Sequence, residues 1–139
     1  MKQNNKRKIK ESSLARDWFR IGENDLGFVK SGFKDLNAFF PQICFLCQQS
    51  AEKYLKGFLV FYKKGFPKIH DLTELVKLCS KIDKNFSKIL KDADILSQYY
   101  LVVRYPTEYK EAGKLEAREA IETAKRIADF VKDIIKAQL

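Results

Sequence analysis

Residues 41–64 read PQICFLCQQSAEKYLKGFLVFYKK. Pro41 suits the first turn of a helix, and Gly65 just beyond suits its C′ position. Ile43, Cys47, Ala51, Tyr54, Leu55, Phe58 and Phe61 recur at helical spacing and make a wide apolar face. The segment would be about 36 Å long at ~1.5 Å per residue. It is the most apolar helix of the chain and therefore the expected centre of the core.

Working outward, the first helix is expected from about Ser13 to Lys34, capped by Ser12 or Ser13. Its apolar stripe is Leu14, Trp18, Ile21, Phe28 and Val29, with Leu26 and Phe33 at the edge. Asp25 falls on the same stripe, where a carboxylate needs a partner. After the loop 65–70, Asp71-Leu72-Thr73-Glu74 resembles a capping box and opens a short helix, Leu72 to Ile82. Leu72, Leu75, Val76 and Cys79 would face inward. Asn85 is expected to cap a fourth helix, Phe86 to about Arg104, with the stripe Phe86, Ile89, Leu90, Ala93, Leu96, Tyr100 and Val103. Pro106 ends it. The fifth helix, Leu115 to Ala137, carries Ala117, Ile121, Ala124, Ala128, Val131 and Ile135 at 4-3-4-3-4 spacing, a narrow seam for bundle packing. No strand pattern of any length is present. The expected fold is all-α: an up-and-down bundle of four long helices plus one short helix.

The chain has 139 residues, 45% hydrophobic and 32% charged. That is one globular domain, here 12–139, preceded by a basic flexible tail, 1–11. The longest apolar run, Gly57 to Tyr62, is far short of the ~18 residues of a membrane span. No apolar segment follows the basic N-terminus, which argues against a secretory signal. Three cysteines read as free thiols of a cytoplasmic protein. Cys44 and Cys47 form C-x-x-C inside a helix, with His70 the sole histidine, so core thiols are the reading and no metal or cofactor is expected.

The net charge of +9 is uneven. Residues 53–91 hold ten lysines and three acids, and residues 1–11 hold five bases and one acid. Such a surplus attracts phosphate, although it also serves solubility alone. Within the apolar helix, Gln48-Gln49-Ser50-Ala51-Glu52-Lys53 is polar or small. Gln48, Glu52 and Lys56 share one face, and Gln49, Lys53 and Lys56 an adjacent one. The plainer and favoured reading is a solvated stripe whose Glu52–Lys56 pair is worth only about 0.2–0.5 kcal/mol. The alternative is a polar cleft, with amides reading a base and lysines meeting phosphate. His70 is either a local loop residue or a general base or nucleotide contact. Arg104 either meets the helix C-terminal dipole or, with a stacking tyrosine, faces an anion; Asp25 is its candidate internal partner.

These segments together resemble the HEPN domain family. The resemblance rests on Ala15-x-x-Trp18 and Asp25-Leu26, the block Cys44 to Lys56, His70-Asp71-Leu72, Arg104-Tyr105-Pro106 and the Ala-rich last helix, over roughly residues 13–135. It implies a helical bundle, usually paired as a homodimer and often encoded beside a minimal nucleotidyltransferase. Some such pairs are toxin and antitoxin, the HEPN partner being a metal-independent endoribonuclease. Its catalytic members use an arginine followed, after four to six residues, by a histidine. Here Tyr109, Lys110 and Glu111 stand at those distances from Arg104, so the expected histidine is missing. The first expectation is therefore a non-catalytic subunit that binds a nucleotide or other phosphate ligand. Lys53, Lys56 and Arg104 would meet phosphate, Gln49 and a tyrosine the base, with Tyr105 as a candidate stacking surface, His70 beside them and Asp25 and Glu52 in support. The alternatives are a variant ribonuclease acting on RNA through Arg104, with His70 or a tyrosine as base, and a purely structural interaction subunit.

Overall fold

The computed structural model describes residues 2–66, 68–102, 104–105 and 110–138, with side chains from Leu14 onward except those of Val102 and Gln138. These residues form helices and no strand. In order they are α1 (Lys2–Leu36), α2 (Phe40–Phe61), α3 (Leu72–Ser80), a 3₁₀ stretch (Lys84–Ile89), α4 (Leu90–Ser97), α5 (Tyr99–Val102) and α6 (Lys114–Gln138). The fold is all-α, as expected.

Several boundaries move. Helix α1 starts at Lys2 and not near Ser13. Lys, Arg, Gln and Glu are good helix formers, so the basic stretch can extend the helix behind it. The side chains of residues 1–13, and with them the expected Ser12 or Ser13 cap, lie outside the described residues. Helix α2 stops at Phe61, three residues early. Lys63, not Gly65, takes the left-handed conformation (φ 60°), and the Lys64 N–H reaches back 2.8 Å to the Leu59 carbonyl. Asp83, not Asn85, caps the next segment by accepting from the Asn85 N–H at 2.9 Å. That segment is not one helix: Ile89 (φ −107°, ψ 11°) separates the 3₁₀ stretch from α4, and Gln98 separates α4 from α5. Val103 and Pro106 lie outside the described residues.

Helix α2 is the hub, packing on α1, α3, α4, α5 and α6. Its Cys44, Cys47, Ala51, Tyr54, Leu55 and Phe58 are fully buried. The Phe58 ring lies 4.4 Å from Phe86, which meets Phe130 of α6 edge-on at 5.0 Å. Helix α6 turns its expected seam inward, widened by Ala120, Thr123 and Ile127. The cysteines are free and buried, and burial pushes the thiols of Cys44 and Cys79 up to about 12. They are core thiols, unsuited to thiolate chemistry.

The face that α1 buries overlaps the expected stripe only in part: Val29 and, from its edge, Leu26 are buried and Trp18 is half-buried. Ala15, Gly22, Leu26 and Val29 are buried, whereas Leu14, Ile21 and Phe28 are exposed. Small residues explain the difference. A Cβ at Gly22 would lie 2.9 Å from the Tyr54 ring and 3.2 Å from the Ser50 carbonyl, and one at Gly57 would lie 2.6 Å from the Phe19 ring. The Ser50 hydroxyl donates to the Gly22 carbonyl at 2.8 Å across this crossing. Close backbone approach fixes which side of α1 faces in.

Gly22→Ala should therefore destabilise the protein by about 1–3 kcal/mol through overpacking. This outweighs the ~1 kcal/mol that alanine adds in helix propensity. A denaturant midpoint that stays or rises would show that the crossing is not tight. A second expectation concerns Asp71, whose carboxylate caps α3 by accepting from the Thr73 N–H (2.9 Å) and hydroxyl (2.6 Å). Burial works to raise its pKa, but these bonds and the Ser97 hydroxyl hold it below the ordinary carboxylate value. A lowered folded-state pKa means stability that is present above the unfolded value and lost as pH falls through the folded one. Asp71→Ala should cost about 1 kcal/mol near neutrality. The difference from wild type should shrink below about pH 4, as read from urea melts across pH.

Candidate functional site

The polar block of α2 is not a solvated stripe. Gln48, Ser50, Glu52 and Lys56 are all buried, Glu52 to within 2% of full burial. The favoured sequence reading fails because α2 is surrounded by other helices, so even its polar face meets protein.

Glu52 is the centre of the cluster. Its carboxylate lies 3.3 Å from Lys56 Nζ, 3.8 Å from Lys53 Nζ and 3.0 Å from His70 Nδ1. A carboxylate only accepts, so the imidazole donates from Nδ1. A second chain of bonds fixes the loop. Gln48 donates to the His70 carbonyl at 2.8 Å, Gln49 donates to the Gln48 amide oxygen at 2.7 Å, and Lys53 donates to Gln49 at 3.4 Å. His70 is thereby held at its ring and at its backbone by residues one helical turn apart.

Tyr100 of α5 joins the remaining groups. The His70 imidazole stacks on its ring at 4.5 Å and 14°. The Arg104 guanidinium carbon lies over the same ring, also 4.5 Å from its centre. Twice that distance bounds the separation of His70 and Arg104 at about 9 Å. Phe45 backs Tyr100 at 6.3 Å.

Of the expected residues, Gln49, Lys53, His70 and Arg104 come together around Glu52 and Tyr100. Lys56 departs from expectation: its side chain is buried against Glu52 and over the Phe66 ring at 5.2 Å, so it neutralises an internal charge and does not present itself to solvent phosphate. Tyr105 is 51% exposed, and Tyr100 is the ring that stacks. Asp25 does not pair with Arg104. Burial raises its pKa, and the cation acting on it is Lys53. Gln48 and Tyr100 were missed as site residues. Tyr100 precedes Arg104 by four residues, one helical turn, and that spacing was the available signal.

The cluster holds one buried carboxylate against Lys53, Lys56, the imidazole and Arg104, a surplus of positive groups. A family model, the HEPN domain, matches residues 15–134. The chain belongs to the HEPN domain family. A crystal structure of ST0689, described as an archaeal HEPN homologue, is similar at TM-score 0.70 and 30% identity, over 87% of this chain and 97% of that one. No curated protein matches. The HEPN match spans both halves of the site, from α1 through Arg104 to α6. Among the described residues no group of three His, Cys, Asp or Glu side chains can hold a metal ion, and no helix is long and apolar enough to cross a membrane.

The pairing of Glu52 with Lys56 makes a stability prediction. Glu52→Ala leaves Lys56 buried with its partner gone and should cost about 3–5 kcal/mol. Glu52→Leu combined with Lys56→Met should recover most of that loss. A double variant as unstable as the single one would show that the pair is not what holds this part of the core.

Proposed function

We propose that this HEPN protein is a binding subunit for a phosphate-bearing nucleotide and works with a minimal nucleotidyltransferase. The observation that carries the reading is the gathering of Lys53, His70 and Arg104 around Glu52 and Tyr100, with their positive charge only partly compensated. Charge-assisted bonds from guanidinium and ammonium groups suit phosphate oxygens. The half-buried Gln49 amide supplies the hydrogen-bonding edge that a base requires, with the buried Gln48 fixing it from behind. Glu52 acts from inside: it orients the imidazole and neutralises Lys56, so the outer cations are placed before any ligand arrives.

A second reading has its own observation. The histidine is absent at the family spacing after Arg104, but His70 lies within about 9 Å of the guanidinium. A carboxylate on Nδ1 of a part-exposed imidazole is the arrangement of an oriented general base. This supports the variant ribonuclease, with Arg104 polarising the phosphate and His70 accepting a proton.

Calorimetry with nucleoside triphosphates tests the first reading. Lys53→Ala and Arg104→Ala should each weaken binding by roughly tenfold to a hundredfold, as for loss of one charge-assisted hydrogen bond. Equal affinity in both variants would remove these residues from the site. Incubation with single-stranded RNA and a chelator tests the second: cleavage should vanish in both His70→Ala and Arg104→Ala. No cleavage by the wild type returns the site to binding alone.

A further inference from the structure

We infer that the first third of α1 is an arm for double-helical DNA, which enters the major groove while lysines at its root meet the flanking phosphates.

The arm begins where its neighbours stop. Helix α1 runs antiparallel to α2: the Phe33 and Phe40 rings lie 6.2 Å apart, Gly22 approaches Ser50 and Tyr54, and Gly57 approaches Trp18 and Phe19. The same register sets the end of α2, Phe61, opposite about position 14 of α1. Helix α6 is also antiparallel to α1. Lys132 reaches Glu23, and Phe19 shares a groove with Ile135 and Lys136, so Gln138 ends at a similar level. Helix α1 nevertheless continues back to Lys2. About a dozen residues, roughly 18 Å at ~1.5 Å each, therefore extend past the bundle.

Their chemistry suits a polyanion. Residues 2–13 read KQNNKRKIKESS, five bases against one acid, with Ile9 the sole large apolar residue. Lys2, Lys6 and Lys10 follow at four-residue intervals, and Gln3 and Arg7 take the adjoining positions round the helix. Like charges at that spacing destabilise a helix on its own, and phosphates on the same side relieve the repulsion. At the root of the arm, the Phe66 ring meets Trp18 edge-on at 5.7 Å, which brings the loop after α2 against α1. Lys64 of that loop and Lys81 just after α3 line a cavity of about 220 Å³. Both lysines are exposed, and among the described residues neither has an ion-pair partner.

Shape selects the kind of polyanion. A helix about 10–12 Å across fits the major groove of B-form DNA, about 12 Å wide. The major groove of duplex RNA is too deep and narrow to read. An anionic membrane calls for an apolar face beside the basic one, which Ile9 alone does not make. An arm of roughly 18 Å spans about five base pairs at ~3.4 Å each. Arginine suits guanine, and asparagine and glutamine suit adenine, so Gln3, Asn4, Asn5 and Arg7 are the base-reading set, and the lysines the phosphate-binding set. The surface shares no residue with the Glu52 cluster and stands apart from the nucleotide site.

Fluorescence anisotropy with the full chain tests this, using a labelled DNA duplex of about two helical turns and an RNA duplex of the same sequence, over roughly 50–200 mM salt. Wild type should bind the DNA at least ~10-fold more tightly than the RNA. Simple attraction to phosphate would make the two nearly equal. Each phosphate contact adds ~0.9 to the slope of log Kd against log salt. Changing Lys2, Lys6 and Lys10 together to Gln should therefore lower that slope by about 2–3, and Lys64→Gln with Lys81→Gln by about 2. Unfolding midpoints should match wild type, because none of these positions is in the core. A wild type that fails to bind the DNA, equal affinity for the RNA duplex, or a slope unchanged in the triple variant overturns the proposal.

Discussion

Glu52 lies in the middle of the most buried helix, and an ionised carboxylate there is tolerable only with partners in hydrogen-bond reach. Lys56, one turn along α2, supplies the internal partner. Lys53 and His70 supply the outer ones. Because His70 belongs to the loop before α3, the same carboxylate ties that loop to α2. Because His70 stacks on Tyr100, it ties α5 as well. This end of the molecule is thus organised by one charge that has to be compensated.

The second constraint is the crossing of α1 and α2. Gly22, Gly57 and Ser50 let the two backbones approach, and this sets the rotation of α1. Core and surface follow together. Turning Ala15, Gly22 and Val29 inward turns Leu14, Ile21 and Phe28 outward. The exposed apolar face is therefore a direct consequence of tight packing elsewhere. Tyr54 fills the same crossing and donates to Glu23 at 2.5 Å, and Lys132 of α6 reaches Glu23 at 2.8 Å. One cluster joins α1, α2 and α6.

Much of the helical fold was legible because apolar residues at 3–4 spacing leave few alternatives. The seam of α6 and the apolar face of α2 were read correctly. The stripe of α1 was read correctly at Leu26 and Val29 but not at Leu14, Ile21 and Phe28, since periodicity weights large side chains, and here Ala15 and Gly22 make the contact. The segment from Phe86 to Arg104 has good helical periodicity, which carries no mark of the bridge-region residue at Ile89 that divides it. In the site, Gln49, Lys53, His70 and Arg104 were legible as chemistry. Their common location was not, nor were the inward turn of Lys56 and the stacking role of Tyr100.

Residue order settled what is local: the helical character of most segments, the Asp71 cap and the surplus of lysine in the middle third. Each depends on neighbours within a turn or two. Tertiary structure decided which polar residues are buried and which groups meet. Glu52 reads as half of an ordinary surface pair until other helices close around α2. His70 and Arg104 stand 34 positions apart, and only the Tyr100 ring between their segments brings them into one site. Burial and long-range proximity are properties of packing, and spacing along one helix cannot encode them.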